Sequence, residues 1–261
     1  MENEAKNAVR SQFSQNAADY RDEALFANGD DLRYMVQSVR ISGSERVLDV
    51  GSGAGHTAFA FAPFVEQCLG LDLTEAMVNV AKAFAKDHGI QNVDFMTGDA
   101  EHLPLPDESF DFATCRFAAH HFPSVKQAIS EIERVLKPGG TFILVDHYAP
   151  EDASLDAFVN NLDRLRDPSH VRENRLSEYK AWFEEVGLLY TERRSWDLRL
   201  QFENWVQRAR TPLEVREKLI EILRLAPASC KDAFHIELDD RAQPVSFSLK
   251  CALIHGVKAS V

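Results

Sequence analysis

The chain lacks an excess of basic charge: 29 Lys and Arg stand against 41 Asp and Glu, a formal net charge of -12. Nucleic acid and anionic membrane surfaces recruit proteins through basic patches, so neither is an expected partner. It lacks any run of 18 apolar residues, and its start, Met1-Glu-Asn-Glu-Ala-Lys6, is polar. Neither a membrane span nor a secretory signal is expected, which points to the cytoplasm. Cysteine is sparse and scattered, at Cys68, Cys115, Cys230 and Cys251, with no C-x-x-C. A disulfide framework and a cysteine zinc site are thereby excluded, and the four read as reduced core thiols. Internal repeats and low-complexity segments are also missing.

What remains is a chain of 261 residues, 45% hydrophobic, enough to bury one large core. Residues 45 to 146 alternate between apolar runs and amphipathic stretches, the pattern of a parallel sheet covered by helices on both faces. Strands are expected at Arg46 to Val50, Cys68 to Leu71, Val93 to Thr97, Phe110 to Arg116 and Thr141 to Val145. Thr74 is placed to cap a helix that Gly89 ends. Val125, Ala128, Ile129, Ile132, Val135 and Leu136 give a second helix one apolar face before Pro138-Gly-Gly140. After Pro150 come a helix marked by Leu155 to Leu165, another from near Ser177 to Gly187, a strand from Leu188 to Leu200, helical residues 202 to 226, and a last strand at Val245 to Val257.

The run Val47-Leu-Asp-Val-Gly-Ser-Gly-Ala-Gly55 carries the chemistry. Glycines at 51, 53 and 55 let the backbone turn sharply and a ligand approach it closely. A dinucleotide fingerprint needs a third glycine where His56 stands. Asp49 beside a pyrophosphate is repulsive, whereas beside an ammonium group it attracts, so a ligand with a cationic end is favoured. In an open α/β sheet the crevice lies beyond the carboxyl ends of the strands. Those ends deliver Asp72, Asp99, Arg116 through His121, and Asp146-His147.

The Asp-x-Gly-x-Gly-x-Gly pattern resembles the first motif of class I S-adenosylmethionine-dependent methyltransferases. Gly98 through Asp111, Arg116-Phe-Ala-Ala-His-His-Phe122 and Arg134-Val-Leu-Lys-Pro-Gly-Gly140 resemble the ubiquinone/menaquinone-biosynthesis type of small-molecule enzyme. Val145-Asp-His-Tyr-Ala-Pro-Glu151 and Leu165-Arg-Asp-Pro-Ser-His170 look like the bacterial YcgJ-like branch. The resemblance implies an α/β, Rossmann-like fold with a seven-stranded sheet, its last strand antiparallel beside the fifth. It implies one domain over residues 1–261: an N-terminal helical cap (1–40), a cofactor core (45–146), and lid helices with the closing strands (150–261). The implied cofactor is S-adenosylmethionine, held by Asp49, Gly51, Ser52, Gly53, Gly55, Asp72, Leu73, Met77, Asp99, Ala100 and Arg116. Asp72 is expected on the ribose hydroxyls and Asp99 on the adenine amino group.

His120 and His121 follow the fourth strand, where an acceptor faces the transferable methyl group, and imidazole suits proton removal near neutral pH. Resemblance to some sugar O-methyltransferases that pair such histidines with an aspartate ending the fifth strand makes His121 the expected base, His120 the fallback and Asp146 the orienting group. No metal is expected, because neighbours on an extended segment point apart. The partner is a small, hydroxylated acceptor, with C-methylation of a quinone precursor as the runner-up, an NAD-binding oxidoreductase or a non-catalytic cofactor binder as different classes, and a homodimer left open. Trp182, Trp205 and Phe202 could line a flat-substrate pocket, but their amphipathic spacing favours core packing.

Overall fold

The computed structural model describes residues 2–22, 27 and 29–260; parts of the expected N-terminal cap lie outside them. Strand β1 (Arg46–Val50) is buried along four of its five residues. A strand covered by helices on both faces reads as a continuous apolar run rather than an alternation. It pairs in parallel with β2 (Gln67–Asp72) and β4 (Phe110–Arg116). β3 (Val93–Thr97) extends one side and β5 (Leu136–His147) the other, both parallel. β8 (Pro244–Lys258) inserts antiparallel between β5 and β6 (Leu188–Gln201). The order β3-β2-β1-β4-β5-β8-β6 reverses direction at β1, so the crevice opens above β1 and β4.

The expected seven-stranded sheet is corrected to eight. The addition is β7 (Glu237–Leu238), a two-residue pairing on β8 too short to carry a period of its own. β5 runs past the expected Thr141–Val145 at both ends, taking in Pro138-Gly-Gly140 through an irregular register beside β4.

The helices are, in chain order, α1 (Glu2–Asp22), α2 (Asp30–Gln37), α3 (His56–Phe61), α4 (Glu75–Asp87), α5 (Val125–Val135), α6 (Ala153–Arg166), α7 (Leu176–Glu185), α8 (Phe202–Arg208), α9 (Leu213–Arg224) and α10 (Ala228–Ala233). α5 buries Val125, Ala128, Ile129, Ile132 and Val135 as its spacing requires, and Ser124 caps it by accepting from Gln127 N. Thr74 precedes α4 without a side-chain cap. Asp72 Oδ1 accepts the Thr74 N–H instead, at 2.8 Å. Residues 202–226 break into α8 and α9 because Arg210 is left-handed and Pro212 cannot continue a helix; α10 was not expected.

Two apolar layers flank the sheet. On one side α5 and α7 cover Leu48, Val50, Ala113 and Leu144. On the other Met35, Ala58, Phe61, Val78 and Ala81 pack on Val47, Phe95 and Ile143. A third cluster, around Trp205, Phe202, Leu219 and Phe247, holds α8 to α10 on β8 beyond the crevice.

Gly55 shows how tightly the glycine turn is wedged between layers. Its φ is +90°, and a Cβ there lies 2.7 Å from Phe95 and 2.8 Å from Phe59. Gly55→Ala is expected to destabilise the fold by about 2–4 kcal/mol through overpacking plus left-handed strain. Urea unfolding checks this, and a midpoint within error of the parent refutes it.

Candidate active site

One cavity joins the ends of β1, β2, β3 and β4 to α1, α6 and α8. At its floor Gly51, Ser52 and Gly53 turn beneath the N-terminus of α3, with Gly51 and Gly53 at positive φ. Gly53 N donates to Asp72 Oδ2 at 2.8 Å, tying the glycine turn to the end of β2. Burial raises the Asp72 carboxyl above its ordinary value, against the pull of the Thr74 and Gly53 N–H groups. Leu73, Met77 and Ala100 add apolar wall.

Asp99 also lines this end, but Lys6 of α1 reaches it at 2.8 Å and Glu101 at 2.5 Å. Lys6 is buried; burial opposes its charge, and the carboxylates around it more than compensate, raising its pKa. The N-terminal helix is therefore pinned over the floor by ion pairs. Val9 and Phe13 follow on the same face, and Phe13 sets its edge against His121 with centroids 5.1 Å apart. Arg116 is buried in the wall and ion-paired to Asp31 of α2.

Beyond β4, residues 119–121 form one turn of 3-10 helix. Successive side chains of such a turn diverge by about 120°, so only one of two adjacent histidines can meet a given partner. That one is His120. Its Nδ1 lies 2.6 Å from Asp146 Oδ1, and its backbone N donates to Asp146 Oδ2 at 3.0 Å. Burial lowers the His120 pKa, but the Asp146 carboxylate outweighs it and the net direction is up. His121 turns its Nδ1 to Ser169 O at 3.0 Å, and burial, reinforced by His120, pushes its pKa down to about 4. The expected order is thus reversed: Asp146 orients His120, not His121.

The expectation that these side chains diverge too far to form a metal-competent group also needs correction. His120, Asp146 and His147 bring one potential ligand atom each within 4.8 Å of one another, because the turn sets His120 against the end of β5. Asp146 already accepts three N–H groups, from His120 Nδ1, His120 N and His147 N. A carboxylate so fully engaged favours a hydrogen-bonded dyad over a ligand set.

Residues 48–144 match the methyltransferase domain family. Over 94% of its length the chain is 51% identical to the uncharacterized methyltransferase YcgJ of Bacillus subtilis, covering 97% of that protein. The chain belongs to the class I S-adenosylmethionine-dependent methyltransferases. The crystal structure of the YcgJ protein from Bacillus subtilis superposes with a TM-score of 0.87 at 49% identity, over 89% of this chain and 99% of that one. The ubiquinone/menaquinone biosynthesis C-methyltransferase UbiE of Methylobacterium nodulans is 38% identical over 49% of this chain and 49% of its own length.

The cofactor of this methyltransferase is S-adenosylmethionine, and the cavity floor fits it. A Cβ on Gly53 meets nothing within 4 Å, so the backbone there is open to a ligand, and carboxylates stand at the ends of β2 and β3. Of the residues expected at the site, all but Asp49, Gly55 and Asp146 line the cavity. Asp146 stands directly behind His120. Asp49 is sealed under the turn, 1% exposed, accepting from Ala58 N and Thr114 Oγ1, and burial pushes its carboxyl up to about 7. A group held there supports the turn and has no open face toward a ligand's ammonium. Trp205 lines the cavity; Trp182 and Phe202 pack in the core. No helix of the described residues is long and apolar enough to cross a membrane.

His147 lines the cavity as its place after the fifth strand implied, whereas sequence reasoning missed Lys6, Phe13, Asp163, Arg166, Asp167 and His170 as lining residues. A signal existed for α1: Lys6, Val9 and Phe13 recur at helical spacing in a segment otherwise read as a polar start.

Proposed function

We propose that this methyltransferase acts on a hydroxyl oxygen of a small acceptor, with His120 as the general base. The observation that carries the reading is the 2.6 Å contact between His120 Nδ1 and Asp146 inside the methyl-transfer cavity. With Nδ1–H donated to the carboxylate, the lone pair lies on Nε2, which no described residue hydrogen-bonds. Bound on the floor, S-adenosylmethionine supplies a methyl group on a positively charged sulfur. His120 Nε2 is placed to take the acceptor's hydroxyl proton, while the bound cofactor would give up its methyl group to the oxygen and keep the carbon–sulfur electrons on sulfur. Asp146 holds the ring in one tautomer and stabilises the imidazolium, as a buried carboxylate does in a triad. Burial of His121 keeps it neutral beside that imidazolium.

C-methylation of a quinone precursor is the alternative, supported by the UbiE relative. It too begins with phenol deprotonation, so the dyad alone does not separate the two. Transfer from methyl-labelled S-adenosylmethionine, followed by identification of the methylated atom by NMR, separates them. A product methylated on carbon refutes the O-methylation reading.

The floor has its own test. Asp72→Ala is expected to weaken S-adenosylmethionine about 10- to 100-fold in calorimetry, since bonds to a charged acceptor are worth about 1.5–3 kcal/mol and Gly53 N and Thr74 N lose their anchor together. An unchanged dissociation constant in a folded variant removes Asp72 from the site.

A further inference from the structure

The amino-acid end of S-adenosylmethionine carries a carboxylate and an ammonium group, and the sealing of Asp49 leaves that end without the charged partner the sequence suggested. On the expected placing, adenine at Asp99 and ribose at Asp72, the amino-acid end falls to the carboxyl ends of β1 and β4, beside the dyad. Among the described residues that line the cavity, the Lys and Arg side chains are Lys6, Arg116, Arg166 and Arg208. Lys6 sits at the adenine end, between Glu2, Asp99 and Glu101. Arg166, on α6, is bound to α8 through Nε, which donates to Trp205 O at 3.1 Å, and Arg208 ends α8. Of the four, Arg116 is the one on a strand paired with β1.

The pairing sets its height. Thr114 stands beside Asp49 in the parallel register, so Arg116, two residues further on, is level with Gly51. The chain after it crosses the glycine turn so closely that a Cβ on Gly51 meets Ala118 Cβ at 2.6 Å. Burial raises the Asp49 carboxyl, and the nearby Arg116 charge is among the groups that hold it back. The Arg116 side chain is itself 4% exposed. Its Nε donates to Asp31 of α2, and its Cζ stands 4.9 Å from the ring of Phe117, a residue held left-handed at φ +51°. A guanidinium so held has lost its rotamer freedom before any ligand arrives. With five N–H donors in a planar fork, it can bridge Asp31 and a second carboxylate.

We infer that Arg116 is the receptor for the cofactor's carboxylate, and that it makes this methyltransferase selective for adenosyl ligands that keep that group, whichever residue serves as base. Bound there, four charges alternate: the Asp31 carboxylate, the Arg116 guanidinium, the ligand's carboxylate and its ammonium. Each charge then neighbours one of opposite sign and the set is neutral, as burial demands. Asp31 is a positioning residue in this arrangement, acting through Arg116 and joining α2 to the cofactor's amino-acid end.

The test is calorimetry with S-adenosylhomocysteine and its decarboxylated analogue, which keeps the ammonium group and lacks the carboxylate. The parent is expected to bind S-adenosylhomocysteine about tenfold more tightly or better, the usual worth of hydrogen bonds to a charged group. The chain's net charge of -12 favours the decarboxylated cation, so a preference for S-adenosylhomocysteine reports a local positive charge. Arg116→Gln is expected to bring the two dissociation constants within about threefold by weakening S-adenosylhomocysteine while leaving the analogue nearly unchanged, and Arg116→Lys to restore part of the difference. Because Arg116→Gln leaves the buried Asp31 carboxylate uncompensated, the double variant Asp31→Asn, Arg116→Gln carries the same comparison in a protein with neither charge. A parent that binds both ligands equally overturns the inference without any variant. So does a parental ratio in Arg116→Gln or the double variant, including the case in which both ligands weaken together, since that is the result of a purely structural role for the Arg116–Asp31 pair.

Discussion

Replacing His120 by asparagine is expected to lower kcat about a hundredfold or more while leaving S-adenosylmethionine affinity within error of the parent, the usual separation when a positioned base is removed from a pre-bound complex. The cofactor floor is built from the ends of β1 to β3, whereas His120 belongs to the turn after β4, which is why the two readouts separate. His121→Asn is the control: with no carboxylate partner, and its pKa pushed down to about 4, it is expected to lose far less. The pH profile fixes the assignment further. A base must be neutral, so turnover climbs as pH rises through the His120 pKa, and that midpoint is expected above the ordinary 6.5 because Asp146 outweighs burial. Asp146→Asn removes the carboxylate and leaves burial, so the acidic limb is expected to move below 6.5 as kcat falls. A parental limb in both His120→Asn and Asp146→Asn removes the dyad from the mechanism and leaves alignment of the reactants as the source of catalysis.

The same pair has a consequence for stability. Because the folded-state pKa of His120 is raised, the protonated pair stabilises the fold below the unfolded histidine value, and this contribution is lost as pH rises through the folded value. The enzyme form that holds a neutral base is thus the one in which His120 contributes least to stability.

The core was legible in the sequence because its signals are local. Val47, Leu48 and Val50 can only be a buried strand, and α5 repeats its apolar residues at three- and four-residue intervals over three turns. Gly51 and Gly53 announced themselves by their need for positive φ. The pairing of Asp146 with His120 rather than His121 was not legible, since it depends on which way one turn of 3-10 helix faces the end of β5, and adjacent histidines look alike in a sequence. Lys6 was hidden for another reason. Its three carboxylate partners include Asp99 and Glu101, more than 90 residues away, so a lysine in a polar segment carried no local sign of burial. The role of Asp49 was obscured by distance in the other direction: it lies two residues from Gly51, yet one residue of strand is enough to turn its carboxylate under the sheet toward Thr114.

The glycine turn itself gives the other large effect. Gly53→Val is expected to abolish measurable S-adenosylmethionine binding, a loss of more than a hundredfold, in a protein that still folds. The reason lies in the contrast between three glycines spaced two residues apart. At Gly51 a Cβ meets Ala118 Cβ at 2.6 Å, and at Gly55 it meets two phenylalanine rings, so substitution there strikes the protein's own packing. At Gly53 a Cβ meets nothing within 4 Å, because it projects into the cavity. The cost to the fold is confined to the left-handed backbone at φ +51°, about 1–2 kcal/mol, and a β-branched side chain then fills the space through which a ligand reaches the turn. Thermal unfolding with and without cofactor reads both quantities at once: a modest fall in Tm for the free protein, and disappearance of the cofactor-induced rise. Gly53→Ala grades the effect, carrying the same backbone strain with less bulk, and is expected to bind between the parent and the valine variant. If Gly53→Val folds and still gains the parental increment in Tm from S-adenosylmethionine, the turn between β1 and α3 is not where the cofactor sits.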